Sequence, residues 1–299
     1  MEYDESYQNE QAHSPAFQLH LQKTLLVVKD IIAPGSRVIE VGCGKGVFLS
    51  MLRDAGFGVT GYDPAHEAGD PDVIQRYFLA GLDIVPGQLI VLRHTLEHMP
   101  DPVAFLRSIR DANGGGGQIL IEVPCFDWTL SKTAFWDISH EHCSYFTARV
   151  FEDLFGKVKI EHCFGEQYIW VVADLASLHD DIVPGGGGQA VGNVFHHEIG
   201  RLRSYVRERS GCLVWGAGAK GVAFANLIDP ENEAIRGIID INPKKQGKFI
   251  AKTGHEIHPP SALRGLGGGD IIIMNEIYTE EIMAMSTGCP NLFLTVGGI

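Results

Sequence analysis

The sequence predicts an α/β protein, with a doubly wound, mostly parallel sheet followed by a second, smaller α/β unit. Three observations carry that expectation. Short apolar runs alternate with stretches of helical period. Several of these runs, Leu89-Ile-Val-Leu, Ile119-Leu-Ile-Glu-Val and Asp270-Ile-Ile-Ile-Met, are apolar on both faces, as strands covered by helices on both sides require. Two strands also run straight into glycine-rich corners, at Gly42 and Gly216, that open helices.

Taken in order, Ser14-Pro15 starts a helix, with Ser as N-cap and Pro at the first helical position. Phe17, Leu21, Leu25, Val28 and Ile32 share one face, and Pro34-Gly35 ends the run. A strand follows at 37–41, a helix at 47–55 and a strand at 58–62. The stretch 70–86 reads equally as a short strand or a helix. After the strand at Leu89 comes Arg93-His-Thr-Leu-Glu-His-Met, then a helix ending before the glycines 114–117. The strand from Ile119 closes at Pro124. A long loop at 125–147, rich in aromatic and ionisable residues, is the kind of loop that carries function. A helix at 148–155 and strands at 158–163 and 167–173 complete a first domain, 1–183. Val183-Pro-Gly-Gly-Gly-Gly-Gln reads as a linker. A second domain, 190–299, begins with a helix near 192–209 and holds strands at 212–215, 235–240 and from 270. It is too short for a complete six-stranded dinucleotide domain.

The formal net charge of −13 argues against the nucleic-acid backbone as a partner, since that affinity rests on clustered Lys and Arg. An apolar content of 45% with 20% charged residues suits a soluble globular chain. With no signal-like or spanning apolar segment, no membrane partner and a cytoplasmic location are expected. The six cysteines contain no C-x-x-C pair, so neither a disulfide framework nor a zinc ribbon is expected. The oligomeric state is not readable.

Residues 39–46, Ile-Glu-Val-Gly-Cys-Gly-Lys-Gly, place Gly42, Gly44 and Gly46 two apart, whereas a dinucleotide fingerprint sets its third glycine five residues after the first. This is the spacing seen in S-adenosylmethionine (SAM) methyltransferases. Glu40 precedes the turn, and Asp63 ends the next strand, where a carboxylate can bridge ribose hydroxyls. Glu40, Gly42, Cys43, Gly44, Gly46 and Asp63 are therefore expected to hold SAM. The second loop, Gly216-Ala-Gly-Ala-Lys-Gly221 with Asp240 downstream, fits G-x-G-x-x-G, which alone is weak support for NAD. The loop serves equally as helix–strand packing, or as a phosphate site built with Lys220.

These residues resemble the SAM-dependent C-methyltransferases that act on nucleotide-linked keto-sugars. The resemblance covers nearly the whole length. It runs through Tyr7-Gln-Asn-Glu-Gln-Ala-His-Ser-Pro, the Glu40–Gly46 loop, Arg93-His-Thr-Leu-Glu-His-Met and Glu122-Val-Pro. It continues through Trp136-Asp-Ile-Ser-His-Glu-His-Cys-Ser-Tyr-Phe and Gln167-Tyr168, then Trp215-Gly-Ala-Gly-Ala-Lys-Gly and Asp240-Ile-Asn-Pro. It implies a class I methyltransferase domain, SAM as cofactor, and a C-terminal Rossmann-like domain. Longer members of that family begin with a cysteine-rich zinc domain, which this sequence lacks. Members usually carry a tyrosine in or just before the Glu-His motif, where this chain has Ser139-His140.

Methylation of a carbon beside a ketone needs a base, and histidine suits that role near neutral pH. His142 is the expected base, with Glu141 orienting it and His140 and Tyr145 donating to the developing oxyanion. Arg93 and His94 are expected beside the cofactor. The string His94-x-x-Glu97-His98 mimics a zinc-protease motif that requires a helix, so His98 is read as structural. Tyr7, Glu122, Trp136 and Lys220 are expected to contact substrate. His140-Glu-His142 offers a chelating pair, but without clustered Cys, Asp or His nearby no metal is expected. The alternatives are a SAM-dependent O- or N-methyltransferase of another small metabolite, and an NAD-dependent oxidoreductase using the second loop.

Overall fold

A computed structural model describes residues 14–66, 69–78, 86–181, 193–209, 211–267 and 269–299. Tyr7 and the expected linker at 183–189 lie outside the described residues. Contacts divide these residues into two compact units, one of 19–128 and 140–181, the other of 14–18, 129–139 and 193–299. Thr129–Ser139, which the sequence reading assigns to the first domain, thus groups with the second unit. No described helix is long and apolar enough to cross a membrane.

The first unit is built on a seven-stranded sheet. Its strands are β1 (Arg37–Val41), β2 (Gly58–Tyr62), β3 (Val73–Ile74), β4 (Leu89–Arg93), β5 (Gln118–Pro124), β6 (Val158–Cys163) and β7 (Tyr168–Asp174). Their order is β3-β2-β1-β4-β5-β7-β6, parallel except that β7 runs antiparallel to both β5 and β6. The helices are α1 (Pro15–Ile31, from Leu19 onward), α2 (Val47–Asp54), α3 (Pro102–Ala112), α4 (Phe126–Ser131, as far as Trp128) and α5 (Ala148–Leu154). Residues Leu89–Leu92 and Ile119–Val123 are fully buried, in keeping with apolar runs broken only at Glu122. Each such leucine or isoleucine contributes about 1.5–3 kcal/mol by leaving water.

Local chemistry sets the helix starts. Ser14 Oγ accepts the Phe17 amide at 3.2 Å, capping α1 ahead of Pro15. Asp101 Oδ1 accepts the Ala104 amide at 2.9 Å and does the same for α3. The buried face of α1 is not purely apolar, since it carries His20 and Thr24 beside Leu21 and Val28. The stretch 70–86, open between strand and helix in the sequence, contains the short strand β3. The expected loop at 125–147 is partly helical, with α4 and a 3₁₀ turn at Phe135–Asp137.

The second unit is a five-stranded parallel sheet. It holds β8 (Cys212–Trp215), β9 (Ile235–Ile239), β10 (Ile257–His258), β11 (Asp270–Ile273) and β12 (Leu292–Thr295), in the order β10-β9-β8-β11-β12. Helices α6 (Val194–Glu208), α7 (Ala219–Ile228) and α8 (Thr279–Met285) belong to it. Strands β10 and β12 are not read from the sequence; β10 is two residues long, below the length at which periodicity speaks. At Gly221 the reason for glycine is steric, because a Cβ would sit 1.7 Å from the Gly216 carbonyl oxygen. Gly221→Ala must therefore part α7 from β8. The expected loss is on the order of 3 kcal/mol in urea unfolding followed by circular dichroism; wild-type stability in that variant would refute the steric account.

Candidate active site

The loop after β1 turns on three left-handed glycines, Gly42 (φ 76°), Gly44 (φ 53°) and Gly46 (φ 74°). A side chain at Gly42 would collide with Thr95, whose Oγ1 lies 2.2 Å from the ideal Cβ position. At Gly44 the same construction meets nothing within 4 Å, so the backbone there borders open space. Asp63 ties the loop down, with Oδ2 accepting the Gly44 amide and Oδ1 the Ala65 amide, both at 2.8 Å. His66, which the sequence reading passes over, donates from Nδ1 to the Gly44 carbonyl at 2.8 Å. Cys43 turns its side chain inward, and burial pushes its thiol pKa up. Its backbone serves the turn, the carbonyl accepting the Gly46 amide at 2.9 Å.

Glu40 is 2% exposed, and its Oε2 meets no hydrogen-bond donor among the described residues. Burial pushes its pKa up to about 8; Arg93 opposes the rise, while Asp63 and Glu122 add to it. A buried, unpartnered carboxylate oxygen beside an open glycine backbone fits a ligand that carries positive charge, as SAM does.

Glu122, on β5, is fully buried and surrounded by donors of its own chain. Oε2 accepts Trp170 Nε1 at 2.7 Å, His20 Nε2 at 2.9 Å and Thr24 Oγ1 at 3.4 Å; Oε1 accepts Arg93 Nη2 at 2.9 Å. His94 Nε2 lies 3.1 Å from Oε1. Burial alone would raise this pKa, but Arg93, His20 and His94 together hold it well below the usual carboxylate range. The expected substrate contact through Glu122 is therefore corrected, since both oxygens are already occupied and none is exposed. Arg93 lies over the Phe48 ring at 4.8 Å, between α2 and Glu122.

His94 adopts φ 48°, with Nδ1 3.4 Å from Glu97 Oε1 and its ring edge-on to Tyr168 at 4.6 Å. Burial lowers its pKa, yet Glu122 and Glu97 outweigh that and raise it to about 9, so it is an imidazolium at neutral pH.

A second cluster forms where two turns meet. The Glu97 carbonyl accepts the amides of Cys143 (2.7 Å) and Ser144 (3.1 Å), and His98 Nδ1 donates to the Glu141 carbonyl at 3.1 Å. His142 stands edge-on to His98, ring centres 5.0 Å apart, and 5.7 Å from the ring of Tyr145, which in turn packs on Phe126 at 5.3 Å. The structure thus brings His142, Glu141 and Tyr145 together with Glu97 and His98. His98 faces His142, beyond the purely structural part expected of it. His140 does not join them. Its side chain is 78% exposed, because this segment is a turn rather than an extended strand that would align residues 140 and 142.

In the second unit, Trp136 is 3% exposed and packs on Phe135, which stacks on Phe224 of α7. Its expected substrate contact is corrected to core packing. Lys220 pairs with Asp137 at 2.8 Å. Asp240 accepts the amides of Ala217 and Asn242 at 2.7 and 2.8 Å, with Lys245 Nζ 3.9 Å away.

Residues 12–158 match the methyltransferase domain family, and residues 189–290 match the C-methyltransferase C-terminal domain family. The C-methyltransferase NovU of Streptomyces niveus is 26% identical over 306 residues, covering 88% of this chain and 72% of its own. The chain belongs to the SAM-dependent C-methyltransferases. It is also similar to a ubiquinone biosynthesis O-methyltransferase of Paracidovorax citrulli, 31% identical over 107 residues, or 30% of this chain and 45% of that one. A SAM-dependent methyltransferase of Archaeoglobus fulgidus superposes with TM-score 0.42 at 18% identity, over 52% of this chain and 93% of its own. The cofactor of this C-methyltransferase is SAM, and its activity is methyl transfer, which decides against the oxidoreductase alternative.

Two outcomes follow from the buried carboxylates. Glu122→Ala leaves Arg93 and His94 as uncompensated buried cations and should cost about 3–5 kcal/mol in urea unfolding. Glu40 has a folded-state pKa above its unfolded value, so the folded cofactor-free protein binds the extra proton between about pH 4.5 and 8. Its stability therefore falls as pH rises through that window. Glu40→Gln should melt above wild type at pH 8.5, with the gap closing toward pH 5, and should bind S-adenosylhomocysteine more weakly. A pH-independent gap in Tm would contradict the assignment.

Proposed function

We propose that this C-methyltransferase methylates the carbon beside the carbonyl of a nucleotide-linked deoxy-keto-sugar, with His142 as the base. The observation that carries the reading is the seating of His142 against the Leu96–His98 turn, with Tyr145 beside His142. That turn follows the C-terminal end of β4, the edge at which α/β sheets keep their ligands. The sugar assignment rests on the family resemblance of the Glu-His loop and the C-terminal domain.

Gly42, the Cys43 backbone, Gly44 and Gly46 would hold SAM, with Asp63 toward the ribose and Glu40 toward the positive charge of the methionine part. Arg93 and His94 hold the floor of that site through Glu122. SAM supplies an electrophilic methyl group. The remaining work falls to the chain. Neutral His142 takes the α-proton, and the electron pair of the broken C–H bond passes into the enolate. The Tyr145 hydroxyl donates to the developing oxyanion, and Glu141 holds the loop against His98. His140, exposed, has no part in this scheme. Lys220, held by Asp137, is available for a substrate phosphate only through exchange of that partner.

His142→Ala should lower turnover by about 10²–10⁴-fold while S-adenosylhomocysteine affinity changes little. A nucleotide-linked keto-deoxysugar incubated in D₂O with wild type should exchange its α-proton, and with His142→Ala should not. Full activity of the variant overturns the base assignment, and methylation without exchange points to an oxygen or nitrogen acceptor.

A further inference from the structure

The two turns that meet at His98 also gather three metal-type donors. A carboxylate oxygen of Glu97 and one ring nitrogen each of His98 and His142 lie within 4.8 Å of one another. Glu97 and His98 are neighbours in sequence, whereas His142 arrives from the far side of β5, so the set exists only in the folded chain.

A second observation points to a ligand. Glu97 is 1% exposed, yet neither carboxylate oxygen accepts a hydrogen bond among the described residues. His94 Nδ1 stands 3.4 Å from Oε1 as its ionic partner, while Oε2 meets no donor among the described residues. A buried carboxylate oxygen without a donor is expensive to keep, and a bound cation would supply what it lacks. The His98 ring adds a third point. Its Nδ1 donates to the Glu141 carbonyl at 3.1 Å, which fixes the ring plane. Metal-ligating histidines are oriented by this kind of backbone carbonyl bond.

We propose that Glu97, His98 and His142 bind a divalent first-row cation of the zinc class. One carboxylate and two imidazoles suit zinc, cobalt or iron, while magnesium and calcium prefer sets of oxygen ligands. Three protein ligands leave a further position for water or for a substrate oxygen. This inference departs from the expectation of no metal, which weighed the pair His140 and His142 and, separately, the string from His94 to His98, but not a set drawn from both segments. Its consequence rests on the reading of His142 as base. A nitrogen lone pair that coordinates a cation cannot take a proton, so cation binding and proton abstraction compete.

The test is titration of Co²⁺ into the EDTA-treated full chain, read by visible d–d absorption. One equivalent should bind to wild type, and at least about tenfold more weakly to His98→Ala and to Glu97→Gln. His196→Ala, altering an exposed residue of α6, should bind as wild type. S-adenosylhomocysteine binding by each variant checks that it is folded. Absence of saturable binding, or wild-type binding by folded His98→Ala and Glu97→Gln, overturns the site. Bound cobalt should also suppress methyl transfer. Undiminished turnover at saturating cobalt overturns the competition and the base role of His142 together, whereas a failed titration leaves that role standing.

Discussion

The buried carboxylate of Glu122 is the constraint on which the rest of the first unit depends. It gathers α1 through His20 and Thr24, the end of β4 through Arg93, the turn after it through His94, and β7 through Trp170. An isolated ionised carboxylate at this depth would be untenable, and the donors around it make ionisation the favoured state. In return they lose their freedom. Arg93 is held over Phe48, and His94 is held at a positive φ between two carboxylates. His20 stacks on Trp170 with ring planes 7° apart, so even the aromatic packing is oriented by the same acceptor. What looks like a substrate carboxylate in the sequence is a fastening point in the structure.

From that fastening the site builds outward. β4 leaves the sheet at Arg93, and Thr95 returns hydrogen bonds to the carbonyls of Val41 and Arg93. That places Thr95 directly behind Gly42 and explains why no side chain fits there. The following turn then uses the Glu97 carbonyl to pin the amides of Cys143 and Ser144. Cofactor loop and Glu-His loop are thus positioned by opposite ends of one short segment, residues 93–98. A backbone anchor of this kind fixes His142 more firmly than a contact between long side chains would, since fewer rotamers need ordering.

The legible parts of this arrangement are those in which local chemistry and global fold agree. The strand–glycine–helix corner at Gly42, Asp63 at the end of β2, the cap at Ser14 and the buried apolar strands all speak through spacing or periodicity. The illegible parts depend on long-range partners. His20 and Thr24 sit on the buried stripe of α1, and only the acceptor on β5, about 100 residues away, explains two polar residues there. Their spacing of four residues on an otherwise apolar face is the one signal that could have exposed them. His98 and His140 exchange importance for a similar reason. Sequence proximity favours His140 as the companion of His142, but the turn at 140–141 sends it to solvent while the pinned backbone presents His98 instead.

The two glycine loops show how little a shared backbone device says about chemistry. Asp63 and Asp240 close their loops in the same way, each accepting one amide of the glycine turn and one amide two residues beyond itself. The surroundings differ. Behind the first loop stands Glu40, a buried carboxyl short of a donor, whose raised pKa a cationic ligand would bring back down. At the second loop Lys245 approaches Asp240 and also donates to the Ala217 carbonyl, Lys220 is held by Asp137, and Gly221 is demanded by the Gly216 carbonyl alone. The groups that would greet a dinucleotide there already have partners within the chain. Glycines in both loops answer the same geometric need, and only the first is surrounded by an electrostatic deficit that a cofactor would fill.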